Sequence, residues 1–130
     1  EALSDEDFDF SLSSKLMGQV NLVRYGLPHI RTDANPSFTL VSGVLSTQPM
    51  PGSAAVSLVN AGVEGFARAA ALEADDVRVN VVSPPWVSET LEAMGQDPSA
   101  GVPAAVVARA FVDSVTGTMT GQVLDAQDYA

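Results

Sequence analysis

The sequence predicts an α/β fold in which helices cover a parallel β-sheet, and three observations support this. Three short apolar runs with the composition of strands alternate with three helical segments in the order α-β-α-β-α-β. Strands separated by helices require right-handed crossover connections, which leave the strands parallel. Hydrophobic residues make up 46% of the 130 residues, enough to bury one core.

The first predicted helix covers residues 4–30. Ser4 is suited to cap its N-terminus, and acidic residues follow in the first turn, where the helix dipole favours negative charge. Apolar residues recur at spacings of three and four and define one face: Phe8, Leu12, Leu16, Val20, Val23 and Leu27. After a polar turn, residues 37–43 (SFTLVSG) predict a buried strand that ends in small residues.

The second predicted helix begins after Ser53, which can cap it, and runs to about Ala74, a span of 53–74. Its apolar face is expected to consist of Val56, Val59, Val63, Phe66 and Ala70. A stripe of small residues, which would let another backbone approach closely, consists of Ala61, Gly62, Gly65 and Ala69. Residues 77–84 (VRVNVVSP) predict a second buried strand.

The rest of the chain predicts a polar loop with one short turn over 85–101, a third helix from Pro103 to near Gly117, and a strand over 121–126. Three strands are few for a doubly wound sheet, which usually has about six. No G-x-G-x-x-G motif is present in the sequence. We therefore expect residues 1–130 to form a single partial domain, the second half of such a sheet, with the phosphate-binding half outside this sequence.

Charge and composition argue against several classes of function. The net charge is −10, with no basic patch, which argues against partners such as nucleic acid or an anionic membrane. No apolar run approaches the roughly 18 residues of a membrane span, and no signal-peptide pattern is present, so we expect a cytoplasmic protein. The chain has no cysteine and only one histidine, His29, so no metal site is expected.

The ordered series NAGVEGFARAAALEADDVRVNVVSP, residues 60–84, resembles the C-terminal half of the short-chain dehydrogenase/reductases. The strand SFTLVSG is similar to the serine strand of that family. Its members are nicotinamide-dependent enzymes on a Rossmann-type doubly wound parallel sheet. The resemblance therefore implies a Rossmann fold, an NAD(P)-dependent oxidoreductase activity, NADP or NAD as cofactor and a small-molecule substrate.

The family's catalytic groups are a Tyr, a Lys four residues later, a Ser thirteen residues before the Tyr and an Asn on the preceding helix. In this chain the Tyr and Lys places hold Val56 and Asn60, while the Ser place holds Gly43, with Ser42 adjacent. Lys15 stands where the helix Asn would be, so the ammonium and the amide are exchanged. The resemblance thus implies Ser42, Lys15 and Asn60 as the candidate catalytic residues.

The same resemblance implies a set of cofactor contacts. Asn60 stands where the family's Lys holds the cofactor ribose, and the family's Pro-Gly turn reads Pro84-Pro85-Trp86-Val87 here. Pro85 removes a backbone donor at the Gly place, while the N–H of Val87 remains. Thr90 falls one residue late for the family's cofactor-contacting Thr. The candidate cofactor-binding residues are Asn60, Pro84, Val87 and Thr90.

Two functions follow from these residues. The first is an NAD(P)-dependent oxidoreductase with an atypical active site, and the second is a catalytically inactive dinucleotide sensor or oligomeric scaffold, which loss of the Tyr favours. In the first, a lysine with a lowered pKa is a candidate acid or base. The structural alternatives are a Lys15 ammonium that reaches solvent, an Asn60 satisfied within its helix and an ordinary strand-end Ser42. The family's subunit interface implies a homodimer or homotetramer through the helices at 4–30 and 53–74.

Overall fold

Three parallel strands form the sheet in the computed structural model, which describes residues 3–130. They are β1 (Ser37–Val41), β2 (Arg78–Ser83) and β3 (Val123–Asp125), in the spatial order β1-β2-β3. In the register of the sheet, Leu40 lies beside Val81 and Val82 lies beside Leu124. Five of the six residues of the central strand β2 are buried, as its apolar sequence predicts. The α/β fold with a parallel sheet is thus confirmed.

Helices cover both faces of this sheet. On one face pack α2 (Met17–Gly26) and α3 (Ala54–Glu73), and α1 (Asp5–Ser11) packs against α3. On the other face packs α5 (Ala104–Thr116). The larger core lies between α2, α3 and the sheet and contains Val23, Leu40, Val63, Val79 and Val81. Among residues 3–130, no helix combines the length and the apolar composition that crossing a membrane requires.

The single helix predicted over 4–30 is divided in the structure. A π-helical turn, Leu12–Leu16, separates α1 from α2, and the N–H of Met17 reaches the carbonyl of Leu12 five residues back. The helix ends at Gly26, near Pro28, which has no N–H with which to continue it. Its predicted start is confirmed, because Ser4 Oγ accepts a hydrogen bond from Asp7 N at 3.2 Å.

Two expectations about the second predicted helix are wrong. Ser53 precedes α3, but its hydroxyl makes no capping bond and instead contacts Met50 N and Ser57 Oγ, both at 3.0 Å. Val56 is 44% exposed, because the buried face begins one residue earlier, about 100° around the helix. That face consists of Ala55, Val59, Val63, Ala67 and Ala70.

The C-terminal part follows the prediction with shifted boundaries. The expected loop over 85–101 contains α4 (Ser88–Ala93) and a 3₁₀ turn (Pro98–Ala100), so it is more helical than predicted. The strand predicted from residue 121 begins at Val123, because Gly121 has a left-handed φ of 69° that interrupts extended backbone. A 3₁₀ turn, Ala126–Tyr129, follows β3.

The outer edge of β1 is partly closed by a side chain. The carboxamide of Gln19 accepts from Val41 N at 2.7 Å and donates to Val41 O at 2.9 Å. These are the two bonds that a neighbouring strand would make at that residue. Gln19, from α2, therefore occupies the backbone groups at the carboxyl end of β1 that would otherwise be available to pair with another strand.

Candidate functional site

A cleft of about 240 Å³ opens at the carboxyl ends of β1 and β2. In open α/β sheets this is the edge where ligands bind. The segments that follow the two strands form most of its wall, and α3 closes it. The lining residues are Ser42, Gly43, Val44, Leu45, Val56, Asn60, Pro84, Pro85 and Trp86. None of them carries a charge, so the cleft suits an uncharged group.

The structure brings the three candidate catalytic residues together beside this cleft. Lys15 Nζ donates to Asn60 Oδ1 at 2.7 Å and to the carbonyl oxygen of Ser42 at 2.9 Å. Lys15 lies in the π-helical turn, which carries one extra residue per turn and so changes the direction in which the side chain leaves the helix. The Lys15 ammonium and the Asn60 carboxamide are therefore in direct contact.

The bond from Lys15 fixes the orientation of the Asn60 carboxamide. An ammonium only donates, so Asn60 Oδ1 must face Lys15 and Nδ2 must face away. Nδ2 lies against Gly43, where an added Cβ would stand only 2.9 Å from it. Asn60 is 2% exposed, and its Nδ2 donates no hydrogen bond within residues 3–130. The cleft wall therefore presents one amide donor that a ligand oxygen would satisfy.

Burial lowers the pKa of Lys15, because the partly desolvated ammonium loses hydration. No carboxylate bonds to its Nζ within residues 3–130, and the two acceptors it has are neutral. A neutral amine retains two N–H groups, so loss of one proton leaves both hydrogen bonds in place. Lys15 is thus suited to hold and release a proton.

A residue that the sequence prediction missed holds the wall of the cleft. Glu64 is 5% exposed, and its Oε1 accepts from Ser42 Oγ at 2.7 Å and from Ser46 Oγ at 2.8 Å. These serines lie at the two ends of the segment that forms the wall, so one carboxylate oxygen fixes both ends. The sequence feature that could have pointed to Glu64 is a charged residue four positions after Asn60 and directly after the apolar Val63.

The predicted cofactor residues divide into two groups. Asn60 and Pro84 line the cleft. Val87 lies beyond it at the start of α4, where it forms a parallel bridge with Val102. Thr90 is exposed on α4 and its backbone N–H bonds to Val87 O at 3.0 Å. Over residues 3–130, no group of three potential ligands lies close enough together to hold a metal ion.

Known proteins share this sequence pattern and fold. The SDR-like Rossmann domain profile matches residues 13–129. The short-chain dehydrogenase/reductase ucsE of an Acremonium species is 33% identical over 79 residues, 61% of this chain and 30% of that protein. The crystal structure of the protein lin1944 from Listeria innocua has a TM-score of 0.85 and 36% identity, over 95% of this chain and 62% of that one. A short chain dehydrogenase from Mycobacterium smegmatis has a TM-score of 0.77 and 25% identity, over 95% and 50% of the two chains. The chain thus spans less than two thirds of the length of each relative.

Proposed function

The chain belongs to the SDR-like Rossmann domain family, and from that premise we propose that it forms the C-terminal half of an NAD(P)-dependent oxidoreductase with a rearranged active site. The observation that carries this proposal is the Lys15–Asn60 pair at the carboxyl edge of the sheet. The ammonium holds a carboxamide whose second group, Nδ2, faces an uncharged cleft.

The cleft residues fit the nicotinamide end of a dinucleotide. A ribose hydroxyl or an amide oxygen would accept a hydrogen bond from the Nδ2 of Asn60, which lines the cleft and donates no bond within residues 3–130. Pro84 and Trp86 supply an apolar wall for a flat ring. No cation lines the cleft, so the phosphates of either NAD or NADP would need a separate site. When bound, the nicotinamide supplies the hydride chemistry.

In this proposal Lys15 supplies or accepts the proton, and the other two residues position it. Val56 has no proton to give, and the Ser42 hydroxyl already donates to Glu64. Lys15 Nζ has one proton beyond the two it shares with Asn60 and Ser42 O. Because burial lowers its pKa, that proton is released more readily than from an exposed lysine. It would reach a substrate oxygen in the cleft through an intervening water.

The test is a titration of the full-length protein with NADPH and with NADH, followed by nicotinamide fluorescence. We expect micromolar binding of at least one, and about tenfold weaker binding after Asn60→Leu, which removes the Nδ2 donor. Gly43→Ala should act in the same direction, because its methyl group would press on Nδ2. Gly18→Ala is the matched control, since a Cβ there contacts nothing within 4 Å. A folded protein that binds neither dinucleotide would refute the proposal.

A second candidate function is a catalytically inactive dinucleotide sensor or oligomeric scaffold. The observation in its favour is that Val56 has no acidic proton and the Ser42 hydroxyl is occupied by Glu64. Carbonyl and alcohol turnover separates the two functions. Turnover that disappears in Lys15→Met supports the rearranged enzyme, whereas bound dinucleotide without any turnover supports the sensor.

We further propose that the protein is a homodimer or homotetramer through the helices at 4–30 and 53–74. Large apolar side chains on these helices face outward, with Phe10, Leu22, Tyr25, Leu58 and Leu72 each at least half exposed. The small residues Ala61, Gly65 and Ala69 are exposed beside them on α3. An apolar face with a small-residue stripe suits close packing of a second copy.

A further inference from the structure

A small pocket of about 130 Å³ lies where α1, the π-helical turn and α3 meet. It adjoins the cleft at Val56, which lines both. Its wall combines apolar side chains with two hydroxyls and one charged residue, and it consists of Phe10, Ser11, Ser14, Lys15, Val56 and Val59. The pocket is well below the roughly 300 Å³ at which sites for drug-sized molecules begin, so it suits only a short molecule.

Two neutral acceptors hold the Lys15 nitrogen beside this pocket. Nζ donates to Asn60 Oδ1 at 2.7 Å and to Ser42 O at 2.9 Å, and Lys15 makes no ion pair within residues 3–130. Burial lowers its pKa, so a larger fraction of Lys15 is a neutral amine at neutral pH than of an exposed lysine. With two N–H groups directed at the two carbonyl oxygens, the lone pair takes the third position, which no hydrogen bond within residues 3–130 uses.

The hydroxyls of Ser11 and Ser14 are the other polar groups of the pocket. These serines precede Lys15 by four residues and by one residue, and neither hydroxyl makes a hydrogen bond within residues 3–130. A hydroxyl both donates and accepts, so either can bond to an oxygen on the carbon that reacts with Nζ. The apolar side chains of the wall then suit a short hydrocarbon chain on the same carbon.

We propose that Lys15 forms a reversible imine with a short aliphatic aldehyde that enters this pocket. The Nζ lone pair attacks the carbonyl carbon and forms a C–N bond, while the carbonyl oxygen takes a proton from the nitrogen. The C–O bond of this carbinolamine then breaks, and the oxygen leaves as water with the proton that the ammonium first released. Ammonium and aldehyde thus give an iminium with one N–H and a water molecule, without any oxidant or reductant.

This inference goes beyond the proposed function, because imine formation needs no dinucleotide. The aldehyde carbon takes the position of the third ammonium proton, which the proposed function transfers to a substrate oxygen. One N–H remains on the iminium, so only one of the bonds to Asn60 and Ser42 O can persist. Aldehyde modification would therefore block the proton transfer proposed for Lys15.

Lys15 is the only lysine in the sequence, so an adduct in this part of the chain is easily located. The full-length protein is incubated at neutral pH with propanal and cyanoborohydride, which reduces the imine to a stable secondary amine, and no dinucleotide is added. Peptide mass spectrometry then follows propylation at each lysine. Arg31→Lys provides the matched control, because the Arg31 side chain is 82% exposed. In this variant we expect Lys15 to be propylated about tenfold faster than the introduced lysine.

Two further comparisons locate the reaction in the pocket. The double variant Ser11→Ala and Ser14→Ala should slow propylation of Lys15 about threefold, whereas Ser13→Ala should leave it unchanged, since the Ser13 hydroxyl already bonds to Phe10 O. With 2,2-dimethylpropanal, the preference for Lys15 over the introduced lysine should fall about threefold, because its quaternary carbon must fit among the apolar side chains of the wall.

Propylation of Lys15 no faster than of the introduced lysine would overturn the inference. So would equal effects of the serine variants, or a preference for Lys15 that persists with the branched aldehyde. The dinucleotide titration is independent of these readouts. If NADPH or NADH binds and Lys15 is not preferentially propylated, this inference fails and the proposed function stands. If Lys15 is preferentially propylated and neither dinucleotide binds, the inference stands and the proposed function fails.

Discussion

Replacing Glu64 tests whether one buried carboxylate holds the cleft wall. Glu64→Ala removes the shared acceptor of Ser42 Oγ and Ser46 Oγ, and Glu64→Gln keeps a neutral acceptor oxygen in the same place. Ser42 is 2% exposed, so its hydroxyl would be left without water as a substitute partner. Ser46 is less buried and can turn to solvent.

The two contacts set the expected magnitude. A hydrogen bond to a charged acceptor contributes about 1.5–3 kcal/mol, and the carboxylate's own desolvation offsets part of this. We expect Glu64→Ala to lower the free energy of unfolding by about 3 kcal/mol, because Ser42 Oγ then remains buried and unpaired. Glu64→Gln should lower it by only about 1 kcal/mol, since both hydroxyls retain an acceptor.

Urea unfolding of the full-length protein, followed by circular dichroism, measures these differences when the slope m is unchanged. Glu73→Ala is the matched control, because Glu73 is an exposed residue at the end of the same helix, and it should change stability by less than about 0.5 kcal/mol. If Glu64→Ala cost no more than Glu73→Ala, the carboxylate would not be holding the wall and the reasoning would be refuted.

Three other results are expected. Because burial lowers the pKa of Lys15, the free energy of unfolding should rise with pH between that lowered pKa and 10.5. Urea unfolding at a series of alkaline pH values should show this rise in the unchanged protein and not in Lys15→Met. The hydrogen bond from Tyr129 to Asp113, at 2.6 Å, raises the pKa of Tyr129 to about 12. Its contribution to stability is then present below pH 10 and lost as pH rises towards about 12. The difference in ultraviolet absorbance between the protein and Tyr129→Phe, which still contains Tyr25, should show the Tyr129 phenolate forming in that range. Gly65→Ala should stabilise an isolated helix by about 1 kcal/mol, but the added methyl group should shift the proposed oligomer towards smaller species in sedimentation. An unchanged size distribution would contradict packing of a second copy on the small residues of α3.

The fold could be predicted because its signals are local. The apolar runs at β1 and β2 and the periodicity of α3 and α5 each depend on neighbouring residues only. The π-helical turn could not be predicted in this way, since nothing in Leu12–Leu16 forbids an ordinary helix. Its effect on the side chain of Lys15 becomes visible only when α3 and β1 are in place.

The candidate site could be predicted only in part. The resemblance indicated that Lys15 and Asn60 are exchanged, and the structure shows the bond between them. Ser42 was assigned from its position beside Gly43, but the direction of its hydroxyl depends on Glu64, twenty-two residues away in sequence. Contacts of that separation leave no local pattern, so the role of Glu64 is visible only in the folded chain.

The carboxamide of Gln19 limits how far the sheet can be extended beyond β1. Successive residues of a strand direct their backbone groups to opposite sides, so Ser37, Thr39 and Val41 face the outer edge while Ser42 bonds to Val82 in β2. A further strand can pair at Ser37 and Thr39, but at Val41 both positions are taken. An added strand must therefore stop its pairing one step before the cleft, and the chain that follows it is free to turn over the rim towards Asn60. The Gln19 side chain therefore limits how many residues of a neighbouring strand can pair with β1.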